Sequence, residues 1–66
     1  MSFIELTSVV TGTRMIVNLA DIKRVVEEDD GCKIVTFESE EWVCSFSVQE
    51  SYEKVREKIV NARRIG

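Results

Sequence analysis

Ser47-Val48-Gln49-Glu50-Ser51-Tyr52-Glu53-Lys54-Val55-Arg56-Glu57-Lys58-Ile59-Val60-Asn61-Ala62-Arg63-Arg64, residues 47–64, is the stretch whose periodicity decides the fold. Val48, Tyr52, Val55, Ile59 and Ala62 recur at helical spacing and make one narrow apolar stripe, with Glu53, Lys54, Arg56, Glu57 and Lys58 on the wet face. Ser47 with Glu50 three residues on reads as a capping box, in which each side chain satisfies a backbone N–H that the helix leaves free. The spacing predicts a helix over 48–64. Its charges suit the macrodipole, with Glu50 and Glu53 early, Arg63 and Arg64 late, and Gly66 just past the end. Such a helix cannot bury its stripe on itself, so the upstream chain must supply a surface for it.

That upstream chain reads as β-structure. Strands are predicted over 3–7, 14–17, 23–28, 33–38 and 41–46, each rich in Val, Ile, Phe or Thr. Gly12 lies among Thr and Ser residues and marks a hairpin connection that needs a positive φ. Asn18 to Ile22 breaks the alternation, as a turn or as a single helical turn capped by Asn18, and Leu19 and Ile22 would plug one end of the core. Asp30-Gly31 signals a second hairpin, and Ser39-Glu40 a two-residue turn. Short connections between successive strands imply an antiparallel meander. The expectation is a single α+β domain, mainly β: a curved five-stranded antiparallel meander or small open barrel with one C-terminal helix.

A chain of 66 residues has a thin stability margin, because a domain of this size buries only about 60% of its unfolded surface. No histidine and only two cysteines are present, without a Cys-x-x-Cys pair, so neither a zinc site nor another cofactor is expected. The net charge of −3 disfavours a nucleic-acid backbone as main partner. No apolar run suffices for a membrane span, and residues 1–5 lack the features of a signal peptide, so a cytoplasmic location is expected.

Chemistry-bearing patterns are few. Without histidine the commonest general acid–base group is missing, and no constellation supports an enzyme. The acidic run Glu27 to Asp30 lacks the spacing of a calcium loop and reads as a solvated hairpin tip, with a docking patch for a basic partner as the alternative. If Ser39-Glu40 is a two-residue turn, Val35 opposes Cys44, and the thiols of Cys32 and Cys44 point to opposite faces, unable to pair. Tyr52 belongs to the helix stripe. Trp42 is core or an interface anchor.

Ile4-Glu5-Leu6-Thr7, Gly12, Val17-Asn18-Leu19, Ile22, Val26-Glu27-Glu28 and Glu50-Ser51-Tyr52-Glu53-Lys54-Val55 resemble the small flagellar FlbD-like (SwrD-like) proteins. The resemblance covers nearly the whole chain and implies a β-rich fold with a final helix and a flagellar association. Thr11-Gly12 stands where that family has Asn-Gly, and Ser39-Glu40 replaces its second Asn-Gly. Residues 17–55 are also similar to the first half of a LytTR-type DNA-binding domain, whose basic second half has no counterpart here.

Several strands are apolar on both faces: Phe3 with Ile4, Ile16 with Val17, Ile34 with Val35, Trp42 with Val43. One helix covers one face, so either the meander curls into a small barrel that hides the surplus inside or a second copy covers it, and the two are compatible. A homo-oligomer is expected. Phe3, Met15, Val17 and Trp42 are the candidates for that contact. The expected function is a small non-enzymatic, self-associating protein-interaction module, flagellar-associated or of phage or mobile-element origin. A transcription-linked module of the LytTR half-domain type is the alternative.

Overall fold

The computed structural model describes residues 2–65, and the side chains of residues 2–63. Gly66 as a stop signal and Arg64 as a late cation lie outside the described residues. Five strands and one long helix follow one another as β1 (Phe3–Thr7), β2 (Arg14–Asn18), a single 3-10 turn (Leu19–Asp21), β3 (Arg24–Glu28), β4 (Gly31–Glu38), β5 (Val43–Val48) and α1 (Tyr52–Ile65). The strands divide into a two-stranded sheet, β1-β2, and a three-stranded sheet, β3-β4-β5, antiparallel throughout. They do not form a closed barrel.

The two sheets meet at one corner. Ser8, just past β1, bridges Val48 at the end of β5. Val9 N–H donates to the Ser47 carbonyl at 3.1 Å and Gln49 N–H to the Thr7 carbonyl at 2.8 Å, so the ladder turns the corner without losing backbone partners. Helix α1 contacts both β1 and β3 and spans the space between the sheets. Inside lie Ile4 and Leu6 of β1, Cys32 and Ile34 of β4, Val48 of β5 and Val55 of α1. Leu19 and Ile22, at the 3-10 turn and just after it, pack against this cluster, and the Asn18 side chain caps the turn by accepting from Ala20 N–H at 3.0 Å.

The helix begins later than its stripe suggests. Ser47 and Val48 belong to β5, and Val48 is fully buried there. The cap is Ser51, whose Oγ accepts from Lys54 N–H at 3.2 Å while its carbonyl accepts from Val55 N–H at 2.9 Å. Glu50 takes no part in a capping box. Val48 sits four residues before Tyr52, so it extends the helical pattern by coincidence while its backbone pairs with Cys32.

The loop between β4 and β5 also departs from expectation. It holds four residues, Ser39 to Trp42, closed by Ser39 N–H donating to the Trp42 carbonyl at 2.9 Å. Glu38 therefore opposes Val43, not Glu41. A bulge between Val35 and Phe37 takes back one position, and from there Val35 opposes Ser45 and Cys32 opposes Val48. The net slip of one residue reverses the expected parity, so Cys32 and Cys44 do not point to opposite faces. They stay apart for another reason: four steps along β5 separate Cys44 from the partner of Cys32, roughly 13 Å of strand. Both are free thiols.

Glycine is required at two turns. Gly12 has φ +72° in the first hairpin, where its N–H donates to the Ser8 carbonyl at 3.0 Å. Gly31 opens β4 after the Asp29-Asp30 turn, with φ +121°, and a Cβ there would lie 2.1 Å from the Val48 carbonyl oxygen.

Candidate interaction surfaces

The hairpin tip between β4 and β5 presents an aromatic pair. Phe37 and Trp42 meet edge to face, with ring centroids 5.6 Å apart and planes at 61°. Both are open to solvent, Trp42 by 62% and Phe37 by 46%; Val43, which opposes Glu38 and so lies on the other face of the sheet from Phe37, is exposed as well. The tip is well defined by its backbone: Ser39 Oγ accepts from Glu41 N–H and Trp42 N–H, each at 3.3 Å. Glu40 and Glu41, in the same loop as Trp42, are exposed. Just before this loop Arg24 reaches Glu38 at 2.6 Å, and Val35, the ladder partner of Arg24, is 2% exposed.

A second surface is an open groove between α1 and β3. Val25, Tyr52, Val55, Arg56, Ile59 and Val60 line a cavity of about 180 Å³. Five of these six side chains are apolar or aromatic, and Arg56 supplies the charge. Glu53 approaches Arg56 only to 3.9 Å, with both side chains well solvated. Tyr52, read as core from the stripe, is half-buried at this groove.

The structure divides the four residues expected at a contact. Phe3 and Trp42 are exposed. Met15 opposes Leu6 and Val17 opposes Ile4, on the inward face of the β1-β2 hairpin, and both pack against the core. The outward face of that hairpin carries Phe3 and Ile16, the latter 76% exposed. Ile16, marked in the sequence only as half of a pair apolar on both faces, is exposed, as are Phe37 and Val60, to which the sequence pattern gives no role. Phe37 needs the bulge to be placed.

Glu50 is the acid with the most specific surroundings. Thr7 N–H donates to Oε1 at 2.8 Å and Thr7 Oγ1 to Oε2 at 2.9 Å. Burial works to raise its pKa, but the two Thr7 hydrogen bonds, its own backbone N–H and the charge of Lys58 together hold it below the ordinary glutamate value. Burial, with the charges of Glu28 and Glu50, pushes the Cys32 thiol up, and Cys32 Sγ lies 3.5 Å from the Glu50 carbonyl oxygen. These contacts hold the sheet corner to the start of the helix. Among the described residues, no group of three or more His, Cys, Asp or Glu side chains is placed to hold a metal ion. No helix among them is long and apolar enough to cross a membrane.

The chain matches no family model, no curated protein and no solved structure.

Proposed function

We propose that this chain is a non-enzymatic protein-interaction module that associates with itself in the cytoplasm. The observation that carries the reading is the Phe37–Trp42 pair, two large aromatic side chains held in fixed geometry on an exposed tip. Aromatic anchors dominate the energetics of protein contacts, and contiguous exposed apolar patches mark interaction sites on small proteins. The exposed parts of the two rings present on the order of 200 Å² of apolar surface, given the 150–250 Å² that each aromatic side chain can bury. Two free cysteines, one of them fully buried, suit a reducing compartment. The resemblance to the FlbD-like family suggests a flagellar setting, with phage or mobile-element adaptors as the other source of such small proteins.

Light scattering across a wide concentration range tests the proposal. The weight-average mass should rise with concentration. A folded monomer that persists at hundreds of micromolar overturns the self-association.

A further inference from the structure

We infer that two copies of this chain pair through the outer edge of β2, antiparallel and centred on Ile16, so that their β1-β2 hairpins join into one four-stranded sheet. The pairing goes beyond the self-association read from the aromatic tip and does not depend on it. The hydrogen-bond parity of the hairpin shows which backbone groups the edge offers. Ser8 N–H donates to the Thr13 carbonyl at one end of the ladder, and Leu19 N–H to the Ser2 carbonyl at the other. Thr7 turns its N–H and carbonyl the other way, to Glu50 and Gln49. Bonded and non-bonded pairs alternate in an antiparallel ladder, so Arg14 and Ile16, opposite Thr7 and Glu5, aim their N–H and carbonyl groups away from β1. Among the described residues, none hydrogen-bonds to these groups.

The other strand edges are covered or guarded. β1 lies against α1 and the Gln49-Glu50 link. Ser8 and Val9 cover β5 at Val48 and Ser47. β3 carries three charged residues in five, with Arg24 held by Glu38 and Glu28 lying 3.9 Å from Lys33. β2 has one charge, Arg14 at its end, and neither proline nor bulge.

The strand is also complementary to itself. Centring on Ile16 lets the two copies of that residue exchange N–H···O=C bonds, and it sets Met15 against Val17, and Arg14 against Asn18, of the other copy. The two Arg14 side chains then stand four residues apart along the strands, about 13 Å, beyond the screening length of about 8 Å. On the outward face Ile16, the most exposed residue of the hairpin ladder's apolar set, meets its own copy, with Phe3 diagonal to it on β1. On the inward face Met15 and Val17 are only half-buried, although their ladder partners Leu6 and Ile4 are buried, and the pairing covers what is left open. An isologous contact closes on itself, so by this edge alone assembly stops at two. A five-residue strand falls short of the roughly 800 Å² per partner of a standard stable complex, so pairing is reversible and rises with concentration.

Cross-linking in a Cys44→Ser background tests the register. In a hydrogen-bonded antiparallel pair, facing Cα atoms lie about 5.5 Å apart, within reach of a disulfide. Under diamide, which takes up the two hydrogens that the thiols lose, Ile16→Cys should form a covalent pair. Arg14→Cys, set against Asn18, should form roughly tenfold less. Equal yields at the two positions, or none at Ile16, overturn the pairing. Light scattering of Trp42→Ala removes any contribution of the tip, and the mass should still double with concentration. Adding Ile16→Lys to that variant sets two ammonium groups face to face and should raise the concentration required by about tenfold or more, with circular dichroism checking the fold. If the added lysine changes nothing, the β2 contact is wrong. A monomeric Trp42→Ala beside a self-associating parent also overturns it and leaves the contact at the tip. A monomeric parent removes both.

Discussion

Thr7 and Glu50, 43 positions apart, share two hydrogen bonds, Thr7 N–H to Oε1 at 2.8 Å and Thr7 Oγ1 to Oε2 at 2.9 Å. One carboxylate thereby ends the first strand and fixes the entry to the helix. Hydrogen bonds to a charged acceptor contribute about 1.5–3 kcal/mol, so Glu50→Ala should lower unfolding stability by about that much in urea titration. Thr7→Val removes only the hydroxyl donor and should cost less. If Glu50→Ala unfolds at the parent's midpoint, the pair is not coupled to folding.

The same pair sets a pH dependence. The folded pKa of Glu50 lies below its unfolded value, near 4.5, so its contribution is complete above that value. It is lost as pH falls through the folded pKa. The stability advantage of the parent over Glu50→Gln should therefore be constant near neutral pH and shrink under acid conditions. A difference that stays flat down to strongly acid pH would contradict the lowered pKa.

Gly31 and Gly12 should respond differently to alanine. At Gly12 the φ of +72° is the whole cost, since a Cβ added there would meet nothing within 4 Å, and Gly12→Ala should lose about 1–2 kcal/mol. At Gly31 the new methyl also meets the Val48 carbonyl oxygen, and the ladder must open. Gly31→Ala should lose roughly 3 kcal/mol or more, a large part of the stability of a chain this short. Equal melting temperatures for the two variants would show that the close approach is relieved cheaply.

Core truncations should rank by burial. Leu6 is fully buried and Ile59 only partly, at the open groove. Leu6→Ala should cost about 2–5 kcal/mol, and Ile59→Ala should fall at or below the low end of that range. The reverse order would place the core centre at the groove.

Thiol labelling should discriminate the two cysteines. Cys32 is fully buried with a raised pKa, whereas Cys44 is partly exposed. Under native conditions near neutral pH, Cys44 should be alkylated first, and after denaturation two labels should add per chain. A disulfide-linked, unlabelled species would contradict the register of β4 and β5.

How much of this is legible in the sequence depends on the range of the interactions involved. The first strand is bounded correctly at Phe3–Thr7, because local alternation suffices, and Gly12 and the Asn18-capped turn follow from local chemistry. Glu50 misleads because Ser47-x-x-Glu50 satisfies a local rule, while its actual partner, Thr7, lies 43 residues away. The aromatic tip depends on a four-residue loop and a bulge, neither of which leaves a mark in period-two patterning. Met15 and Val17 look interchangeable with Phe3 and Ile16 until the pairing of β1 with β2 assigns their faces.

The corner between Thr7, Ser8, Ser47 and Gln49 has a kinetic consequence. The β1-β2 hairpin and the β3-β4-β5 unit each close between near neighbours in the chain, so each can form early and quickly. The corner must instead close a loop of about forty residues, whose entropy is lost before any of its hydrogen bonds are gained. Weakening it through Thr7 or Gln49 should therefore accelerate unfolding while leaving the refolding rate nearly unchanged, the signature of contacts that form after the barrier. The lifetime of the folded molecule is then governed by the joint between its two sheets more than by either sheet.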